Sequence, residues 1–308
     1  MKTLLIATRP SALARWQTQW VIHALQQVHP NLDFVEHIIT TTGDKVLDKP
    51  LPLIGGKGLF TQELEAELLS GRVHAAVHSL KDLPVDNPAQ LTIGAIPQRE
   101  DASDALISAK GYALHTLPQA AVIGTSSLRR SAQLLSIRPD LCIESLRGNI
   151  DTRLRKAYSG QYDAIILASA GLIRLGLAQH ITEKLSLDVM LPAPAQGALA
   201  VQCRTSDEET LNLLAAIDHL PSRQAVCAER AFLQGLGGGC SLPLAAFAQM
   251  QTNTAGENEI IHLRACVLSF DGSQKVNLSG IGANSITLGM ALAQEAIQKG
   301  AHELLKGV

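Results

Sequence analysis

The chain has 308 residues, of which 46% are hydrophobic, 18% charged and 3% aromatic, and its formal charge is −2. Those proportions describe an ordinary globular protein too long for one core, and the lack of a basic stripe and stacking rings argues against a nucleic-acid surface. No apolar run approaches the ~20 residues of a membrane span. MKTLLIATRPSALAR reaches Arg9 before any export-type apolar stretch, so a cytoplasmic protein with no membrane partner is expected. The five cysteines (Cys142, Cys203, Cys227, Cys240, Cys266) are odd in number and widely spaced, without a C-x-x-C pair. A disulfide framework or structural metal is not expected, and a reducing compartment is.

In chain order, an apolar strand, Leu4 to Ala7, runs into the polar turn Thr8-Arg9-Pro10-Ser11. A helix follows, with an apolar stripe of Leu13, Trp16, Trp20, Ala24 and Val28, stopped at Pro30. The run HAAVHSLKDLP (74–84) is a buried-type strand that ends abruptly in Lys81-Asp82, with Pro84 forbidding a continuing helix. The opening pattern returns at 121–139: strand Ala121–Gly124, hydroxyl turn Thr125-Ser126-Ser127, helix with Leu128, Leu134 and Leu135, stop at Pro139. YDAIILASAGL (162–172) then echoes 74–84. Two similar α/β lobes of ~100 residues each are expected, with a crevice between them.

The polar, charged segment Pro97–Asp104 and the segment Leu191–Gly197, where prolines and small residues interrupt regular structure, read as linkers. The strand-like ALAVQC after Gly197 and a helix through Leu211–Ile217 can return to the first lobe. From His219 the rhythm changes to a helix (Ser222–Leu233), a Gly-rich loop, strands at 244–249, 260–268 and 275–279 with an Asp271-Gly272 turn, and a terminal helix carrying Ile286, Leu288, Leu292, Ile297 and Leu304. The expected domains are 1–97 with 198–218, 98–197, and a small α+β domain at 219–308.

The chemistry is concentrated in three places. Between Thr125 and Arg174 stand seven arginines (Arg129, Arg130, Arg138, Arg147, Arg153, Arg155, Arg174) and one lysine, Lys156. Guanidinium grips carboxylate or phosphate with a planar fork, and strand ends face the ligand crevice in open α/β sheets. A small polyanionic ligand suits the set better than solvated helix faces do. Asp82 at a strand end can move protons or stabilise a cation, although an aspartate before Leu-Pro is also an ordinary turn former. In GLGGGCSLP (235–243), four glycines within five residues leave almost no side-chain volume before Cys240, allowing something bulky to approach its sulfur. A small buried thiol is the alternative reading.

The strings IATR-x-S (6–11), IGGKGLF (54–60), AVHSLKDLP (76–84), IGTSSLRR (123–130), SLRGNIDTRL (145–154), Pro194 with Gln196-Gly197, and GGC-x-x-P (238–243) together resemble the porphobilinogen deaminase family over residues 4 to 306. The resemblance implies two periplasmic-binding-protein-like α/β lobes around a cleft plus a small C-terminal α+β domain. It implies a transferase joining four porphobilinogen molecules into a linear tetrapyrrole with release of ammonia. It implies a dipyrromethane cofactor, self-assembled from substrate and held by a thioether to Cys240. By the same resemblance Asp82 is catalytic, stabilising the azafulvenium cation left by ammonia. Lys81, Thr125, Ser126, Ser127, Arg129, Arg130, Arg147 and Gly148 hold the cofactor, with Gly148 keeping the turn after Arg147 tight. Arg9, Ser11, Arg153, Phe60, Lys57 and Arg174 meet the substrate, Phe60 by covering a pyrrole, and residues 42–58 form a mobile lid. A monomer is expected. Pro10 and Leu53 depart from the family pattern. A solute-binding or effector-sensing module of two α/β lobes remains the rival reading, as does a relative that keeps the fold without turnover.

Overall fold

The computed structural model describes residues 3–45, 58–238, 242–252 and 259–306. They form two compact units, Met1–Glu100 with Ala198–Arg223, and Asp101–Gly197 with Gln224–Val308.

The first unit is a five-stranded sheet in the order β2-β1-β3-β10-β4, made of β1 (Thr3–Thr8), β2 (Asp33–Ile38), β3 (Ala75–Ser79), β4 (Leu91–Ala95) and β10 (Leu199–Arg204). β1 pairs in parallel with β2 and β3, whereas β10 runs antiparallel to β3 and β4. Parallel neighbours need a crossover, and α1 (Ala12–Val28) supplies the first. One face of the sheet packs Leu4, Ile6, Val77 and Val201 against Val21, Ile22 and Leu25 of α1. The other packs Ala7 and Ala76 against Leu64 and Leu68 of α3 (Gln62–Leu69). A short α2 (Thr42–Lys45) precedes α3.

The helical stripe expected for α1 is not its buried face. Gln17, Thr18, Val21, Ile22 and Leu25 are buried, while Trp16 and Trp20 are 36% and 38% exposed. Both stripes have helical spacing. Gln17 turns inward because the buried face meets polar groups at the end of β3, where Gln17 Nε2 donates to Ser79 Oγ at 2.9 Å.

The second unit repeats the pattern. Its sheet, in the order β7-β6-β8-β5-β9, contains β5 (Asp104–Ile107), β6 (Val122–Gly124), β7 (Cys142–Glu144), β8 (Ala164–Ala168) and β9 (Glu183–Lys184). β6 pairs in parallel with β7 and β8, as β1 does with β2 and β3, and the next strand is antiparallel in both sheets. The echo between 3–28 and 121–139 is therefore an echo of topology. The helices here are α4 (Leu128–Ile137), α5 (Ile150–Tyr158) and α6 (Ser169–Arg174). α7 (Glu208–Ala215) follows β10 in the first unit.

A three-stranded antiparallel sheet, β11 (Leu244–Thr252), β12 (Glu259–Leu268) and β13 (Lys275–Gly282), joins α8 (Leu220–Gly235), α9 (Ser285–Gln298) and α10 (Ala301–Leu305). The single terminal helix expected from the pattern is two, broken at Gly300, and Ile286 lies on its exposed side while Leu288 and Leu292 are buried. The segment 191–197 is fixed by a buried carboxylate. Glu229 of α8 accepts from Ala195 N (2.6 Å) and Ala248 N (2.7 Å), holding Ala195 at φ 63°, a left-handed conformation that side chains resist.

Candidate functional site

In the first unit, three separate stretches of chain meet at one pocket. It is lined by Arg9 and Ser11 after β1, Phe60 and Thr61 before α3, and Val77, His78, Ser79 and Asp82 at the end of β3. Ser11 caps α1, its Oγ accepting from Ala14 N at 3.3 Å, so the residue that shapes the turn also starts the helix. Arg9 is half-buried. It donates through Nε and Nη2 to the two oxygens of Asp44 (3.2 and 2.5 Å), and its guanidinium lies 4.2 Å from the Phe60 ring centroid. The guanidinium is thus oriented by a bidentate pair and an aromatic face. Thr41 supplies two further donors to Asp44 Oδ2, from N (3.1 Å) and Oγ1 (2.8 Å). Burial works against ionising Asp44, but Arg9 and Thr41 outweigh it and lower its pKa.

Phe60 reaches this position only because residue 43 is glycine. A Cβ there would lie 2.2 Å from Phe60 Cε1. After β3 the chain makes a 3-10 turn, Leu80–Asp82. Leu83 is already extended (φ −81°, ψ 125°), as the residue before Pro84 must be. Lys81 is half-buried and Asp82 is exposed at the pocket.

Two polar networks hold lining residues of the pocket in place. Gln17 and Ser79 exchange hydrogen bonds at 2.9 and 3.2 Å. His78 Nε2 meets Gln202 Oε1 of β10 at 3.1 Å, and Gln202 Nε2 donates to Glu65 Oε1 of α3 at 3.2 Å. Burial pushes the Glu65 carboxyl up. Burial, with Arg9 nearby, pushes His78 down to about 4.

The second unit gathers a different group. The hydroxyls of Thr125, Ser126 and Ser127 follow β6 and enter α4. Thr125 Oγ1 accepts from Ser127 N (3.2 Å) and Ser127 Oγ from Arg130 N (3.5 Å). Ser126 Oγ accepts from Leu146 N (3.1 Å) and donates to Leu146 O (2.9 Å), which brings this turn beside Arg147 and Gly148. Gly148 has φ 112°, and a Cβ there would meet Thr152 Cγ2 at 2.7 Å, so the tight turn after Arg147 requires glycine. Arg153 Nε donates back to Gly148 O at 2.7 Å.

Arg129 and Arg130 are not free forks. Arg129 Nη1 donates to Asp104 Oδ2 (2.6 Å) and Leu191 O (2.7 Å). Arg130 holds Asp104 Oδ1 through Nε (3.0 Å) and Nη2 (2.7 Å), with Nη1 on Ile166 O (2.8 Å). Gln196 Nε2 also donates to Asp104 Oδ1 (2.9 Å). All three charged groups are buried. Burial alone would raise the Asp104 pKa, but the two guanidiniums hold the carboxyl far below the usual range. Sequence reasoning missed Asp104. Its one signal is an acidic residue opening the otherwise apolar strand DALI. Arg138 is likewise engaged locally, with Asp140 and the carbonyls of Leu114, Leu117 and Pro118, and Arg174 Nη2 donates to Gly197 O at 2.7 Å. The arginines of this stretch therefore have different surroundings and do not form one basic surface. Lys57 and Cys240, and most of the expected lid, lie outside the described residues.

A dipyrromethane carries four carboxylates, and the second unit has an imbalance that suits one. Among the described residues, two guanidiniums face a single carboxylate in the Asp104 cluster, and Arg129 Nε is buried without an acceptor. Among the described residues there is no group of His, Cys, Asp and Glu side chains that could hold a metal ion, and no helix is long and apolar enough to cross a membrane.

Two open α/β sheets, each running into hydroxyl and guanidinium turns at parallel strand ends, define an α/β protein built to hold an organic anion. Residues 4–212 match the family model "Porphobilinogen deaminase, dipyromethane cofactor binding domain", and residues 223–298 match "Porphobilinogen deaminase, C-terminal domain". The chain belongs to the porphobilinogen deaminase family. It is 49% identical to the porphobilinogen deaminase of Brevibacillus brevis, over 98% of this chain and 96% of that protein. It is 47% identical to that of Roseiflexus sp. (strain RS-1), over 99% of both, and 46% identical to that of Bacillus pumilus, over 100% and 98%. Among solved structures, the Bordetella pertussis BvgS periplasmic VFT2 domain is 14% identical, with a TM-score of 0.42 over 70% of this chain and 86% of that one.

Proposed function

We propose that this chain is a transferase that condenses four porphobilinogen molecules into the linear tetrapyrrole hydroxymethylbilane, releasing ammonia at each addition, in tetrapyrrole (haem and porphyrin) biosynthesis. The observation that carries the reading is one pocket, in a chain of this family, that sets an oriented guanidinium, an aromatic face and an exposed carboxylate together. The dipyrromethane, when bound through Cys240, supplies the primer to which the pyrroles are added.

Each remaining role belongs to the chain's own residues. Arg9 and Ser11 take a substrate carboxylate, and Phe60 both steadies Arg9 and covers a pyrrole. Asp82 faces the aminomethyl carbon. As the protonated amine departs as ammonia, the positive charge left on the substrate is stabilised by the Asp82 carboxylate, which then accepts the proton lost after the C–C bond forms. Lys81 stands beside Asp82 for a cofactor carboxylate. In the second unit, Thr125, Ser126, Ser127, Arg147 and Gly148 form the turn pair for the cofactor, and Arg153 and Arg174 make further substrate contacts, as does Lys57 of the first unit. Arg129 and Arg130 act mainly through the excess positive charge of their buried cluster.

The proposed domains are 1–97 with 198–218, 98–197 and 219–308, and the proposed protein is a cytoplasmic monomer. The intact mass of the purified protein tests the reading. It should exceed the sequence mass by two linked pyrrole units, and Cys240→Ser should lose that excess together with the colour reaction of pyrroles. A wild-type protein of bare sequence mass that forms no hydroxymethylbilane on incubation with porphobilinogen would remove the reading. Retention of the excess in the serine variant would move the anchor to another cysteine.

A further inference from the structure

The proton on His78 can be placed from its neighbours. Glu65 Oε1 accepts from Gln202 Nε2, which fixes the amide with its oxygen toward the imidazole. Gln202 Oε1 can only accept, so His78 Nε2, 3.1 Å away, carries the hydrogen. His78 Nδ1 therefore keeps its lone pair, and among the described residues it has no hydrogen-bond partner. His78 lines the same pocket as Arg9, Phe60 and Asp82.

We propose that His78 is a substrate-binding residue whose Nδ1 accepts a hydrogen bond from the pyrrole N–H of porphobilinogen. The proposal rests on the functional reading above. A neutral imidazole is needed, and burial with the nearby charge of Arg9 keeps it neutral, with a pKa of about 4. The same positive charge selects the donor. Beside Arg9 a neutral N–H is favoured over the ammonium of the aminomethyl arm, which is better placed near the carboxylate of Asp82. Arg9 after β1 is the charge that acts on His78; Glu65 on α3 is reached through Gln202, and Asp82 after β3 lines the same pocket. Among the pocket's neutral lining residues, Ser11 Oγ is engaged with Ala14 N and Gln17 and Ser79 with each other, whereas His78 presents an imidazole lone pair.

Two conservative variants separate this role from a structural one. Glutamine extends to the position of Nε2, so His78→Gln keeps a partner for Gln202 and loses the pocket acceptor. Asparagine places Oδ1 near the position of Nδ1, so His78→Asn keeps the acceptor and loses the bond to Gln202. The KM for porphobilinogen should rise about tenfold in His78→Gln, the worth of one hydrogen bond, and less in His78→Asn. Equal KM values in the two variants, or the reverse order, would overturn the proposal. Nitrogen NMR of the wild-type holoenzyme gives a readout that needs no variant to fold. His78 should be the Nε2–H tautomer, and saturating porphobilinogen should shift its Nδ1 resonance. An Nδ1–H tautomer, or an unmoved Nδ1 in an enzyme that is making hydroxymethylbilane, sinks this proposal alone. A wild-type protein that makes none sinks the functional reading instead.

Discussion

At the scale of single residues, position matters more than residue type. Asp82 and Asp104 are both aspartates near strand ends, yet one is exposed at a pocket and the other is sealed under two guanidiniums. Asp82→Asn should keep the cofactor mass and lose turnover by at least ~10²-fold, because the amide neither stabilises a cation nor takes a proton. Single-turnover kinetics with mass spectrometry would check this, and a near-normal rate would demote Asp82 to a turn former. Asp104→Ala should instead lower stability by about 3–5 kcal/mol, since it leaves two buried guanidiniums unpaired. Urea unfolding measures that loss, and an unchanged midpoint would contradict the buried triad. Gly43→Ala should displace Phe60 from Arg9 and raise KM several-fold, whereas a KM unchanged from wild type would show that the ring need not stay. Of these residues, Asp82 was legible from its strand-end setting and the family strings. Asp104 was not, because its partners lie 25 and 26 residues away and no local pattern announces them.

At the scale of elements, periodicity located α1, α4 and the paired strands, with Pro30 and Pro139 marking the two helix ends. It did not fix which side of α1 is buried. Leu25→Ala should cost about 2–5 kcal/mol as a core truncation. Trp20→Gln should cost far less, on the order of 1 kcal/mol or below, because the ring lies on the outer face. If the tryptophan substitution is the more damaging in urea titrations, the assignment of faces is wrong. The reason for the misreading is physical. A helix with apolar residues on two sides can bury either one, and hydrogen bonds such as that between Gln17 and Ser79 make a polar face compatible with the interior.

At the scale of the whole molecule, acid stability should fall in two windows tied to the two units. His78 has its folded pKa depressed from 6.5 to about 4. Below pH 6.5 the unfolded chain therefore binds the extra proton first, and stability declines as the pH falls toward 4. The full loss is about 3 kcal/mol at 1.36 kcal/mol per pKa unit. Glu65, whose pKa is raised by burial, works in the opposite sense within the carboxylate range. The ionised Asp104 contributes stability that is present above its unfolded value near 3.8 and is lost only as the pH drops further. Urea midpoints between pH 7 and 4 should therefore fall less steeply in His78→Asn than in wild type, and parallel curves would remove His78 as the cause.

By itself the sequence determined the two α/β repeats, the small third sheet, the pocket aspartate and the family, because strand and helix periods, turn residues and contiguous strings are local properties. Only the tertiary structure decided that Asp44 and Phe60 orient Arg9, that Arg129 and Arg130 share Asp104, and that Gln202 bridges His78 and Glu65. Those pairings join residues far apart in the chain, and the burial that gives them their strength exists only once the sheets have formed.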